Sequence, residues 1–257
     1  MTKIKLIHGF TQNNDCLLPF ADLLQVVADA QVEIVEAPHH GNSPLKGGTL
    51  EQVGAEVGHL FRDDDCVFVG YSLGGRILLE ALASGSLHRG DVIVFGAAID
   101  EGSIEGRKAR IAADLKLSQR VATIADPQEF REFLRTWLAA PLFNEISEDQ
   151  AQLEARLSNT PQEIAKVLVE LSTGLQVGLM DRLKQFLNPP KAAKNRLGYI
   201  YGSKDVKFKA VATSLKEEID RVSVVEVAPC GHFTIGERPY ESARAIVEVL
   251  RGWGYDY

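Results

Sequence analysis

A serine hydroxyl reacts only when a base is held against it, and Gly70-Tyr71-Ser72-Leu73-Gly74-Gly75 is the stretch of these 257 residues that would present one. The apolar run Cys66–Gly70 leads into it and a helix-forming run leaves it. This context predicts a sharp strand-to-helix turn with Ser72 at its apex. Side chains beside such a turn must be small, and the glycines at 70 and 74 meet that need. Six histidines could supply the base. His232, in Pro229-Cys230-Gly231-His232-Phe233, follows the last expected strand and keeps the chain order Ser, acid, His. His8, at the end of the first strand, is expected to make structural hydrogen bonds. His39 and His40 fall in a Pro/Gly loop and His59 and His88 near helix ends, so surface or capping roles are expected of all four. For the acid, Asp205 in Tyr201-Gly202-Ser203-Lys204-Asp205 follows the penultimate strand, where it would orient His232. Asp100, after the preceding strand, is its rival, and either could instead cap a helix.

These side chains need a scaffold that delivers each from the end of a different strand. Short β-branched runs at Ile4–Ile7, Val32–Ala37, Cys66–Gly70, Val92–Phe95, Leu197–Tyr201 and Val222–Val227 alternate with helical patterns at Leu17–Ala28, Leu50–Phe61, Gly74–Ala83, Phe208–Ile219 and Tyr240–Leu250. Crossovers of that length predict a mostly parallel sheet covered by helices on both faces. With the serine turn, this pattern defines an expected α/β-hydrolase fold. In that fold the N–H groups of Phe10 and Leu73 would form the oxyanion hole. From about Ser103 to Leu187 the strand rhythm gives way to consecutive helices punctuated by Pro127, Pro141 and Pro161, and Pro189-Pro190 closes the stretch. The expected organisation is a core of residues 1–100 and 191–257 with a helical cap at 101–190.

Composition narrows the partners. A net charge of −7 without a Lys/Arg block gives no encouragement to nucleic-acid binding. No apolar run approaches the roughly 20 residues of a membrane span, and the start lacks a signal-peptide pattern, so a cytoplasmic protein without membrane insertion is expected. Three widely spaced cysteines show no metal-ligand pattern, which suits a reducing compartment. The cap carries Arg107, Arg110, Arg120, Arg131, Arg135 and Arg156. An arginine on a solvated helix is ordinary, and Arg110 could simply pair with Asp114 one turn on.

Taken together, several segments resemble one family. They are His8-Gly9-Phe10-Thr11-Gln12-Asn13, Gly70-Tyr71-Ser72-Leu73-Gly74-Gly75-Arg76, Arg107-x-x-Arg110-x-x-x-Asp114, Trp137 before Pro141-Leu142-Phe143, Arg156, Gly174-Leu175-Gln176, Asp205-x-Lys207-Phe208 and Gly231-His232. In this order they resemble the 2-succinyl-6-hydroxy-2,4-cyclohexadiene-1-carboxylate synthases of the menaquinone pathway. The resemblance implies elimination of pyruvate from an enolpyruvyl cyclohexene, with Ser72 as base and neither cofactor nor metal. It also implies a small polycarboxylate substrate gripped by Arg76, Arg110 and Arg156, with Tyr71 and Trp137 as pocket wall. Alanine at Arg110 or Arg156 would then reduce turnover with little effect on stability. The chain departs from the family pattern at His39, at Ile99-Asp100-Glu101, at Met180 and at Phe233-Thr234-Ile235. Elbow and triad residues alone indicate only the superfamily: an esterase, a thioesterase or a C–C bond hydrolase of this fold needs the same triad, whereas the intact Ser72, His232 and Asp205 set argues against a silent binding protein.

Overall fold

A computed structural model describes the chain except for residues 63–64, 89, 101, 141–149, 189–194 and 257. Six strands, β1 (Thr2–Ile7), β2 (Ala30–Val35), β3 (Val67–Tyr71), β4 (Asp91–Phe95), β5 (Leu197–Gly202) and β6 (Val222–Val227), form one sheet in the order β2-β1-β3-β4-β5-β6. Every pairing is parallel. All residues of β3 and β4 are buried, and their side chains alternate between two apolar layers. Val67, Val69, Tyr71, Ile93 and Phe95 enter one layer, while Phe68, Val92 and Val94 enter the other. A strand buried on both faces must be covered on both, and helices do this.

One layer takes Leu17 and Phe20 of α1 (Asn14–Val27) with Ala243 and Ile246 of α11 (Pro239–Gly252). The other takes Val53 of α2 (Leu50–Leu60), Ile77 of α3 (Leu73–Ala83) and Leu215 of α9 (Val206–Glu218). A four-residue helix, α10 (Thr234–Glu237), precedes α11. The strands begin or end within two residues of the positions expected from sequence, because apolar alternation is strong in the middle of each run and fades at its ends. Chain order reverses direction across the sheet between β1 and β3, so their carboxyl ends flank the crevice where ligands bind in such sheets.

Between β4 and β5 lie α4 (Ile104–Ala122), α5 (Pro127–Leu138), α6 (Gln150–Arg156), α7 (Pro161–Glu170), a short 3-10 turn at Thr173–Leu175 and α8 (Leu179–Leu187). Pro127 and Pro161 each open a helix behind a capping side chain, Asp126 and Thr160, which is where proline's missing N–H costs nothing. Glu101, Pro141, Leu142, Phe143 and the Pro189-Pro190 pair fall outside the described residues. Polar contacts tie this stretch to the sheet layers. Arg182 of α8 meets the fully buried Glu80 of α3 in a two-pronged contact of 2.7 and 3.1 Å. His39, expected on the surface, instead lies between Glu163 and Glu170 of α7, with ring nitrogens 2.8 and 2.7 Å from their carboxylates. That pairing offsets the left-handed backbone of His39, with φ of +63°, at a position where a glycine would rest without strain.

Among the described residues, no helix is long and apolar enough to cross a membrane, and no cluster of three His, Cys, Asp or Glu side chains could hold a metal. Cys16, Cys66 and Cys230 are buried, and none forms a disulfide among the described residues.

Candidate active site

Ser72 occupies the turn between β3 and α3 with φ of +50° and ψ of −102°, a conformation that L-residues rarely hold. Its neighbours make that turn possible. A Cβ on Gly74 would stand 2.2 Å from the Ile7 carbonyl oxygen, and one on Gly70 would stand 2.6 Å from the backbone of Gly74. Ser72 N–H donates to Phe95 O at 2.9 Å and Gly74 N–H to His8 O at 3.0 Å, so adjacent strands hold the turn on both sides.

The His232 ring approaches Ser72 from the loop after β6. Its Nε2 lies 3.3 Å from Ser72 Oγ and its Nδ1 2.9 Å from Asp205 Oδ2. Asp205 fills both roles weighed from sequence, since its other oxygen accepts Phe208 N–H and caps α9. Asp100 points elsewhere: it is exposed and accepts Met180 N–H at the start of α8. The imidazole is also clamped by rings that motif reading did not single out for this purpose. Phe208 stacks on it at 4.6 Å and Tyr71 lies 5.4 Å away. Gly96, at φ of +51°, closes the remaining side, where a Cβ would stand 2.8 Å from His232 Cε1. Gly96→Ala is therefore expected to displace the ring and lower kcat at least about tenfold, because ångström-scale misplacement of a reacting group is costly. Steady-state kinetics beside a thermal melt checks this, and unchanged kcat would show that the ring has room to spare.

The loop after β1 carries Phe10, whose N–H, like that of Leu73, has no acceptor among the described residues. The loop is held through Thr11, itself strained at φ of +65°. Thr11 N–H donates to His40 Nε2, Thr11 O accepts from Asn159, and Thr11 Oγ1 accepts from Arg156 Nε at 3.2 Å. His40 is therefore not a surface or capping residue: it is buried, with Nδ1 against Pro38 O at 2.8 Å. His8 matches its expected structural role, bridging Gly9 O and Glu36. Burial pushes the Glu36 carboxyl up, but the His8 bond and charge outweigh it and the net shift is downward.

Burial drives His40 well below the ordinary imidazole value, and the charge of His8 adds to the fall. A histidine whose folded value is depressed binds more protons when unfolded. Its contribution to stability is therefore complete above about pH 6.5 and is lost as pH falls, by up to about 1.4 kcal/mol per unit. Melting temperature should drop on acidification from about pH 7.5 to about 5. His40→Gln, which keeps an acceptor for Thr11 N–H, should flatten that slope; coincident slopes would place the acid sensitivity elsewhere.

A pocket above Ser72 and His232 is lined by Tyr71, Arg76, Arg110, Trp137 and Arg156, all five picked out by resemblance. Trp137 packs edge-to-face on Phe10 at 5.0 Å. Arg76 donates to Leu171 O at 2.7 Å. Arg110 forms the i,i+4 pair with Asp114, bidentate at 2.8 Å for both contacts, with its own side chain 41% exposed at the pocket. Asp114 is further held by the Ser172 hydroxyl at 2.6 Å. Arg156 differs from the sequence expectation of a site residue neutral to stability: it is buried, and its Nη1 donates to Gln152 O and Oε1 at 2.7 and 2.6 Å. Gln12, Lys207 and Phe208 also line the pocket. All three fall in segments that carry the resemblance, but those segments assign none of them an individual role.

A hydroxyl–imidazole–carboxylate chain beside two free N–H groups can deprotonate a substrate or attack a carbonyl, and stabilise the oxyanion that results. The chain belongs to the alpha/beta hydrolase family, whose model matches residues 6–246. Within it, the chain resembles one kind of enzyme over nearly its whole length. A 2-succinyl-6-hydroxy-2,4-cyclohexadiene-1-carboxylate synthase of Escherichia coli O7:K1 is 26% identical over 251 residues, covering 95% of this chain and 92% of the relative. Its counterpart in Shigella dysenteriae serotype 1 is 27% identical over 256 residues, with the same coverage. Among solved structures, MenH from S. aureus superposes with a TM-score of 0.84 at 21% identity, covering 99% of this chain and 95% of the other. A carboxylesterase structure from Nitrososphaera gargenis gives 0.73 at 16% identity, covering 97% and 90%. At such identities these two structures show the common fold.

Proposed function

We propose that this enzyme is a lyase of menaquinone biosynthesis. It would eliminate pyruvate from 2-succinyl-5-enolpyruvyl-6-hydroxy-3-cyclohexene-1-carboxylate to give 2-succinyl-6-hydroxy-2,4-cyclohexadiene-1-carboxylate. The observation that carries the reading is one pocket whose lining joins three arginines, Arg76, Arg110 and Arg156, to Ser72 and His232. A fork-shaped cation suits a carboxylate, and a pocket with three suits a polycarboxylate better than an acyl chain. The similarity to synthases along the whole chain supports the same choice.

In this mechanism Ser72 Oγ removes the ring proton alpha to the succinyl ketone while His232 Nε2 takes the serine's own proton, and Asp205 steadies the imidazolium. The enolate oxygen accepts the Phe10 and Leu73 N–H groups. Collapse of the enolate breaks the ring C–O bond and expels enolpyruvate as an anion, which takes the proton held by His232 and becomes pyruvate; Ser72 already carries the former ring proton, so hydroxyl and neutral imidazole are both restored. No covalent intermediate, cofactor or metal is needed. Residues 101–190 act as a cap over a core of 1–100 and 191–257, and the biosynthetic role places the enzyme in the cytoplasm.

The test is pyruvate release from the cyclohexene precursor, read by a coupled dehydrogenase, beside turnover of short p-nitrophenyl esters. Fast elimination and very slow ester hydrolysis are expected, since a pocket of cations gives a neutral acyl group little binding energy for orientation. Efficient hydrolysis without pyruvate release would replace the lyase by a serine hydrolase of the same fold.

A further inference from the structure

Two buried polar groups on the pocket wall find no hydrogen-bond partner among the described residues. Gln12 is 1% exposed, and its Oε1 accepts Gly9 N–H at 2.8 Å. Its Nε2 has no partner among the described residues, and neither has Tyr71 Oη. Both side chains line the pocket. They converge over Gly9, where a Cβ would stand 2.8 Å from Tyr71 Cδ1 and 3.0 Å from Gln12 Oε1. A buried donor without an acceptor is destabilising, so two on one wall call for an acceptor from a ligand.

The orientation of the amide is settled by chemistry. A backbone N–H can only donate, so the end facing Gly9 must be the oxygen, which leaves the –NH₂ group as the unsatisfied end. Tyr71 is likewise held in its donating form: burial raises its hydroxyl well above the ordinary phenol range, against a smaller opposing pull from Arg156.

The geometry points to Gln12 as a specificity-determining residue, its Nε2 donating beside Tyr71 Oη to a carbonyl-type oxygen of the substrate, either ketone or carboxylate. The guanidinium groups select for charge. Gln12 selects for an acceptor at one place, because a ligand lacking that oxygen leaves the amide buried and unpaired. The nature of the ligand rests on the elimination proposed above, whereas the donor assignment does not.

Gln12→Glu separates this role from a structural one. It keeps an oxygen for Gly9 N–H and almost the same shape, and it exchanges the donor for an acceptor. KM for the cyclohexene precursor should rise at least about tenfold, with a smaller change in kcat. The defect should shrink as pH falls, since a protonated carboxyl regains a donor. A purely structural role would instead lower Tm and leave KM alone. A second arm needs no turnover: in Ser72→Ala protein, calorimetric affinity for benzoylpropionate, a ring bearing a keto-carboxylate arm, should fall by a similar factor when Gln12→Glu is added. If the wild type releases pyruvate and both KM and benzoylpropionate affinity ignore Gln12→Glu, the assignment is overturned and the elimination stands. If no pyruvate forms but benzoylpropionate binding depends on Gln12, the elimination fails and the donor assignment stands. No pyruvate together with Gln12-independent binding overturns both.

Discussion

Ser72→Ala, His232→Ala and Asp205→Asn should each lower kcat for pyruvate release by about 10³- to 10⁴-fold or more, and combining them should cost little beyond the worst single change. The non-additivity follows from the hydrogen-bonded series in which Ser72 Oγ, His232 and Asp205 stand 3.3 and 2.9 Å apart: once one member is gone the other two have no partner to act through. Asp205→Asn is the most instructive of the three. Asparagine can still accept Phe208 N–H and cap α9, so the fold should hold. Its amide would then present N–H groups to His232 Nδ1, favouring the tautomer that donates toward Ser72 rather than the one that accepts from it. Far-reduced kcat at nearly unchanged Tm is the expected pair of results. Asp100→Asn, altering an exposed helix-start contact with Met180, should behave as wild type. A crippled Asp100→Asn beside a mild Asp205→Asn would reverse the assignment of the acid.

Ser72 was legible in the sequence because its needs are local. A tight turn demands glycine at 70 and 74, and the apolar run of β3 precedes it. His232 was legible through chain order, and the sheet through the alternation of β3 and β4, where both faces are covered. What local pattern could not show is the set of side chains whose work depends on partners far along the chain. His40 reads as one more residue of a Pro/Gly loop, yet it is buried against Thr11, 29 residues away. Gln12 lies in a recognisable loop, but only the fold shows that its Nε2 is left without an acceptor. Gly96 carries no motif, and its value lies in the Cβ it lacks beside His232. The prolines that punctuate the helical stretch were informative for the same reason that Ser72 was: a missing N–H constrains the backbone where it stands.

Arg156→Ala and Arg110→Ala should part company, although resemblance treats the two arginines alike. Arg156 is buried and sews the end of α6 to the Phe10 loop through Thr11 Oγ1, while Nη1 holds Gln152 at two points. Its removal leaves the strained Thr11 with one support fewer and strips the buried Thr11 hydroxyl and the half-buried Gln152 of a charged donor, a bond to such a donor being worth about 1.5–3 kcal/mol. Tm should fall by at least about 4 °C. Activity should fall as well, by about ten- to a hundredfold in kcat/KM, because the loop that carries an oxyanion donor loosens together with the loss of a carboxylate ligand. Arg110 is 41% exposed and spends two of its N–H groups on Asp114, which leaves about three of the five guanidinium donors for a ligand. Arg110→Ala should therefore raise KM about tenfold with a smaller change in Tm, since solvent screens the pair and Asp114 keeps the Ser172 hydroxyl. Lysine should rescue Arg110 in part, because it restores the charge without the fork, and should rescue Arg156 poorly, because the lost geometry is what secures Thr11. Kinetics and melts on the four variants decide the matter. If Arg110→Ala kept normal KM, the guanidinium would be only a helix-surface partner for Asp114; if Arg156→Ala lost stability but no activity once folded, its place at the pocket would be structural alone.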